Sequence, residues 1–310
     1  MRQMFKLLVA SMALAAVSTV AAPKGKVKAW TDEAKAKAEY PDYDLQGEYK
    51  SADGAIQVSA MPENKFHVIR YKGGLPAFGW DGKKPASEMV DAAAAKKAVA
   101  GLERIERTSP TMGEKPPAGA TVLFDGTTNN MDGKAEDGLL WAGAKTKQQF
   151  GSFKLHMEFR LPFKPGRMVS NQDRGNSGVY IFNRYECQVL DSFTAPHAFG
   201  RELAFKAESD PKQWCASFYK FKYPDNNVSL PALQWQTYDI DFTAPKFENG
   251  KKVANARISV RHNGVLVHDD VELEKGTGNG GRRPEVPKES IYLQNHGNPV
   301  AYRNMWIVEK

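Results

Sequence analysis

The 310 residues are enough for one large β domain with a smaller companion, and 41% hydrophobic with 11% aromatic content supports a packed core, which excludes a disordered chain. The formal charge of +7 is spread among 36 acidic residues instead of being gathered in one arm. No basic stripe interleaves with stacking aromatics, so nucleic acid is excluded as a partner.

The chain opens with positive Arg2 and Lys6, an apolar run from Leu7 to Val20, and the small residues Ala21 and Ala22. This is the order of a secretory signal peptide, assigned to residues 1–22, with cleavage near Ala21 because Pro23 disfavours a cut directly after Ala22. The run is shorter than the roughly 20 residues of a spanning helix. No long apolar run follows, so the mature chain is expected to be exported, periplasmic or extracellular, without a transmembrane segment. The absence of a cysteine near the cleavage region argues against a lipid anchor. In an oxidising compartment the two cysteines, Cys187 and Cys215, are expected to be bonded; the alternative is two separate buried thiols.

Residues 23–118 read as a small β-rich module ending in a helical, Pro-rich linker. Val27 to Lys37, rich in Lys and Ala, is weakly helical or mobile. Strand-like runs begin at Gly47, Ala55 and Lys65, divided by Asp53-Gly54, Pro62 to Asn64 and Gly73-Gly74. An aromatic, Gly-rich loop from Tyr71 to Trp80 is expected to cap this small sheet. Ala86 to Arg107 has helical composition. Pro110, Pro116 and Pro117 mark a linker, which puts a domain boundary near residue 118.

Residues 119–310 are patterned as all-β. Short runs recur at Ser152 to Leu161, Ser177 to Phe182, Tyr185 to Leu190, Trp235 to Phe242, Ala256 to His262, Ile291 to Gln294 and Val300 to Val308, with Gly, Asn, Asp and Pro between them. Asn263-Gly264 predicts a tight hairpin. Many short strands without a long helix mean a sandwich or a barrel.

Six motifs occur here in order: Leu123 to Gly126, Phe150 to Arg160, Gly175 to Tyr180, Arg184 to Asp191, Trp235 to Tyr238, and Tyr292 to Gly297 with Tyr302 to Asn304. Together they resemble the 3-keto-disaccharide hydrolase domain family. The resemblance implies a concanavalin-like jelly-roll sandwich and a hydrolase acting on 3-keto-disaccharides or 3-keto-glycosides, with an oligosaccharide or glycoside as its partner. Residues 41 to 115 are similar to the small β module that precedes such domains in some exported proteins.

Strand alternation sends Glu186 and Gln188 to one face, and Tyr185, Cys187 and Val189 to the other. Gln294 and His296 share a parity with Tyr292, and Arg303 lies beyond the following turn. A 3-keto sugar has an acidified proton on C2 and a leaving group on C1. Its cleavage by elimination needs a base, a donor for the enolate oxygen and an acid. Glu186 is the candidate base, Arg303 or Gln294 the oxyanion donor, and His296 the acid. Gln188, Gln294, Asp191 and Asn176 are candidate substrate contacts, although Asn176 is more simply a turn residue before a strand; His197, in a Pro-flanked loop, is a candidate for a groove rim.

No cofactor is established; Glu186, Asp191 and His296 are the candidate ligands for one divalent ion. The spacing Glu186, Gln188, Asp191 is also similar to the Glu-x-Asp-x-x-Glu signature of laminarinase-like glycosidases, with a bulge after Val189 carrying the last acid onto the same face. Gln for the middle acid and Asp for the last weaken that alternative, because retaining hydrolysis wants two carboxyl groups about 5 Å apart. A non-catalytic carbohydrate-binding module is the other alternative.

Overall fold

The computed structural model describes residues 27–169, 171–195, 198–199, 202–203 and 210–310. The expected signal peptide and His197 lie outside the described residues.

The N-terminal part forms a five-stranded antiparallel sheet in the order Ala86–Asp91, Lys65–Lys72, Gly54–Met61, Gly47–Ser51, Arg104–Ile105. Two short helices, Glu33–Glu39 and Ala92–Val99, accompany it; Asp32 and Asp91 cap them by accepting from the backbone N–H groups of Lys35 and Ala94, each at 2.8 Å. The helix expected over Ala86 to Arg107 is therefore only eight residues long. Ala86 to Asp91 instead pairs as an edge strand with Lys65 to Arg70, and pairing overrides the helical composition. Nor does the helix act as a linker. Its buried Ala95 and Val99 join Ala36, Val58, Phe66 and Val68 in one apolar cluster, to which Phe163, Ala232 and Leu233 from the C-terminal part also belong.

The C-terminal part is an all-β sandwich of two antiparallel sheets. One has five strands in the order Tyr185–Val189, Ser177–Ile181, Tyr292–Leu293, Lys145–Thr146, Met131–Asp132. The other has eight: Val265–Leu273, Ala256–His262, Trp235–Thr243, Phe153–Arg160, Ala301–Glu309, Leu139–Trp141 and Ala135–Glu136, with Thr121–Phe124 also pairing against Ala301–Glu309. The core between them takes alternate residues from each face, for example Leu155, Met157 and Phe159 against Val179, Ile181, Tyr185, Cys187 and Val189. Asn263 and Gly264 supply the predicted hairpin, at φ of 50° and 79°, with His262 opposite Val265. Among the described residues no helix is long and apolar enough to cross a membrane.

Cys187 and Cys215 are two free, fully buried thiols, not the expected disulfide. Burial pushes both up from the usual thiol range. Cys187 packs as a core side chain of the inward face, and the Cys215 thiol meets the Tyr238 hydroxyl at 3.1 Å.

Candidate functional site

Strand Tyr185–Val189 is the edge of the five-stranded sheet, and loops from far along the chain cover it. The Gln188 N–H donates to Ser217 O at 2.9 Å, the Ala216 N–H to Gln188 O at 2.9 Å, and the Glu186 N–H to the Thr277 hydroxyl at 2.6 Å. Loop 275–283 fits closely because it is glycine-rich. A Cβ on Gly280 would sit 2.4 Å from Arg184 O.

On the outer face of this sheet lies a cleft of about 330 Å³. Its walls carry Glu186, Gln188, Asn176, Gln294 and His296, all expected from the sequence, together with Gln172, Tyr180, Tyr219, Lys220 and Asn279, which were not. Tyr180 was reachable by parity, since it shares a face with Asn176 and Gly178 on strand Ser177–Ile181. Gln172, Tyr219, Lys220 and Asn279 sit on irregular segments with no periodic signal.

Glu186 is 3% exposed. Burial drives its carboxyl from the ordinary 4.5 to about 7, opposed by the Tyr180 hydroxyl, which donates to Oε2 at 2.8 Å. Gly178 lies across the ladder from Gln188, and a Cβ there would come within 2.5 Å of Glu186 Oε1. The missing side chain is what makes room for the carboxyl. Around it runs a network of amides: Gln188 Nε2 donates to Gln172 Oε1 at 3.1 Å, and Asn176 Nδ2 reaches the same oxygen at 3.5 Å. His296 is exposed at the rim.

Two expected members are elsewhere. Asp191 does not bulge onto the cleft face; at 1% exposure it pairs with the fully buried Arg174, Oδ2 to Nε at 2.7 Å. That guanidinium also donates to Ser59 Oγ and Ala60 O of the N-terminal part, both at 3.1 Å, so the pair ties the two parts together. The divalent-ion trio of Glu186, Asp191 and His296 is therefore not assembled, because Asp191 leaves it.

Arg303 lies on strand Ala301–Glu309 of the opposite sheet. It donates to Glu158 Oε2 at 2.6 Å and stacks over Trp235 at 4.0 Å, so it is not an oxyanion donor for this cleft. Glu158 also accepts from Asn304 and from the Gly113 N–H of the linker. Burial would raise Glu158, but the bonds from His156, Asn304, Arg303 and Gly113 hold it down at about 2. Beside it His156 binds Asp239 at 2.6 Å; burial would lower the imidazole, yet Asp239 and Glu158 raise it to about 9. Among the described residues the one group spaced like metal ligands is Glu114, His156 and Asp239, with its His and Asp on strands of the eight-stranded sheet. Its His and Asp are already hydrogen-bonded to each other, as parts of the seat for the linker.

The polar cleft on one sheet, centred on one desolvated carboxyl, suits a polar ligand, and the family and structural matches make this a carbohydrate-active domain of the glycosyl-hydrolase-like class. The family described as 3-keto-alpha-glucoside-1,2-lyase-like domain matches residues 119–308, and the chain belongs to that family. A solved structure from Parabacteroides distasonis, described as a candidate glycosyl hydrolase, is 28% identical, with a TM-score of 0.52 over 63% of this chain and 86% of its own. A second from the same organism and with the same description is 15% identical, at a TM-score of 0.41 over 64% and 92%. No curated protein matches the chain.

Proposed function

We propose that the protein is an exported enzyme that cleaves 3-keto-glycosides, including 3-keto-disaccharides, by elimination followed by hydration. The observation that carries this reading is that Glu186 is the one carboxyl lining the cleft among the described residues, and that burial brings it to about 7. A two-carboxylate glycosidase needs a second acid facing the first. An elimination needs one base, matched to neutral pH.

In this reading Glu186 removes the C2 proton, made acidic by the neighbouring C3 carbonyl. The electrons form the C1=C2 bond and the C1–O bond breaks. The departing oxygen takes a proton, for which His296 at the rim is the proposed source. With Arg303 committed to Glu158, the cleft's own donors for the enolate oxygen are Lys220 and the Tyr219 hydroxyl. Water then adds across C1=C2, its hydroxyl to C1 and its proton to C2, and the net change is hydrolysis. Tyr180 keeps Glu186 oriented while it is ionised.

The test is incubation of purified protein with a 3-keto-α-glucoside and with the parent glucoside, with and without chelator, following release of the alcohol. Cleavage of the keto compound alone, lost in Glu186→Gln, supports the proposal. Cleavage of the parent glucoside at an equal rate overturns it, and the chelator arm reports whether a metal ion takes part.

A further inference from the structure

Three oxygens of the cleft walls, Asn176 Oδ1, Gln188 Oε1 and Gln294 Oε1, are buried and have no hydrogen-bond partner. Asn176 and Gln188 are only 4% and 1% exposed as residues. Unpaired acceptors are rare at such burial, because desolvation is not repaid. Three in one hollow call for a ligand that brings the protons.

A carboxamide can turn end for end, so the polarity of the wall depends on what fixes each amide. A single main-chain carbonyl does most of this. Gln213 O accepts from Gln188 Nε2 at 3.4 Å and from Gln172 Nε2 at 3.5 Å, and an amide oxygen turned towards it would be repelled. Gln172 Oε1 is thereby left to accept from both Gln188 Nε2 and Asn176 Nδ2. On the far side the Tyr180 hydroxyl spends its proton on Glu186, so it accepts from Gln294 Nε2 at 3.5 Å. Each amide NH2 is used within the protein, and each orphan oxygen is left for the ligand.

We propose that Gln172 is a positioning residue that aims the amide oxygens of Asn176 and Gln188 at the ligand, and that with Gln294 these make a wall of acceptors suited to a ring that donates hydroxyls. A 3-keto-hexopyranoside keeps three such hydroxyls, on C2, C4 and C6, one for each orphan oxygen. The inference rests on the proposed function for that ring, but it needs binding and not turnover.

Deoxyfluoro sugars separate the two, since fluorine in place of a hydroxyl accepts weakly and donates nothing. Calorimetry on the wild-type protein would compare methyl α-glucoside, which has no 3-keto group to react, with its 2-, 4- and 6-deoxyfluoro analogues. Each analogue should bind about 5- to 100-fold more weakly, as a buried acceptor is left unpaired. In Gln172→Leu the parent should lose affinity while discrimination against the fluoro analogues shrinks towards unity. A merely structural role would weaken all ligands alike and keep the ratio. Fluoro analogues that bind as well as the parent, no binding of the parent, or an unchanged ratio in Gln172→Leu each overturn the proposal. Fluorine-sensitive binding without cleavage of a 3-keto-glucoside would sink the proposed reaction and leave the acceptor wall standing.

Discussion

Replacing Glu186 by Gln removes a charge at almost constant volume, and its consequences can be worked out from the burial of the carboxyl. Raised from 4.5 to about 7, Glu186 contributes stability that is fully present below about pH 4.5 and is lost as the pH climbs through about 7. At 1.36 kcal/mol for each pKa unit, the wild type gives up on the order of 3 kcal/mol across that window, the cost of ionising a group that is 97% buried. An amide at this position never ionises. It can still accept from Tyr180, but its NH2 needs a partner of its own, which leaves a net gain of roughly 1–2 kcal/mol above pH 7. Thermal unfolding at pH 4 and pH 8.5 should therefore show Glu186→Gln melting a few degrees above the wild type at the higher pH and level with it at the lower. The same protein should be inactive on a 3-keto-glucoside. A variant that is less stable at both pH values, or that still turns over, refutes the assignment of Glu186 as a desolvated base.

The same titration predicts that kcat/KM falls below about pH 7, close to tenfold for each further pH unit, because only the ionised carboxylate accepts the C2 proton; a profile flat down to pH 5 contradicts it. Gly178→Ala should cost at least tenfold in kcat with about 1–3 kcal/mol of stability, since its Cβ would displace the Glu186 carboxylate; full activity would show that the close approach is tolerated. Asp191→Asn should lower stability by about 3–5 kcal/mol, as seen by urea unfolding, because it strands the Arg174 guanidinium in the interior. Activity per folded molecule should persist, and the reverse pattern would return Asp191 to the reaction.

The alternation in Tyr185–Val189 was enough to assign Glu186 and Gln188 to one face and Cys187 to the other, because a strand has only two sides. The same reasoning carried Gln294 and His296 to the cleft. Arg303 and Asp191 rest on other arguments, a following turn and a bulge after Val189, and neither reaches the cleft, because the outcome depends on partners distant in sequence. Arg303 is taken by Glu158 from a neighbouring strand, and Asp191 by Arg174, whose remaining donors reach into the N-terminal part. Parity says which way a side chain leaves its strand, not what waits there. Ala86 to Asp91 misled for a related reason, since helix-forming composition does not reveal that Lys65 to Arg70 needs a neighbour. The bonded cysteines were inferred from compartment alone, whereas one thiol faces the core and the other meets Tyr238.

The proposed base, Glu186, sits on an outermost strand whose free backbone is satisfied by Ser217, Ala216 and Thr277, so two segments remote in sequence hold its carboxyl in register. Those segments also contribute Tyr219, Lys220 and Asn279 to the pocket wall. In the proposed reaction these loops carry both the clamp on Glu186 and the enolate donors Tyr219 and Lys220, so exchanging either loop would disturb the chemistry itself. The proposed base and its proposed donors thus come from separate stretches of chain, joined through a few hydrogen bonds to the edge strand.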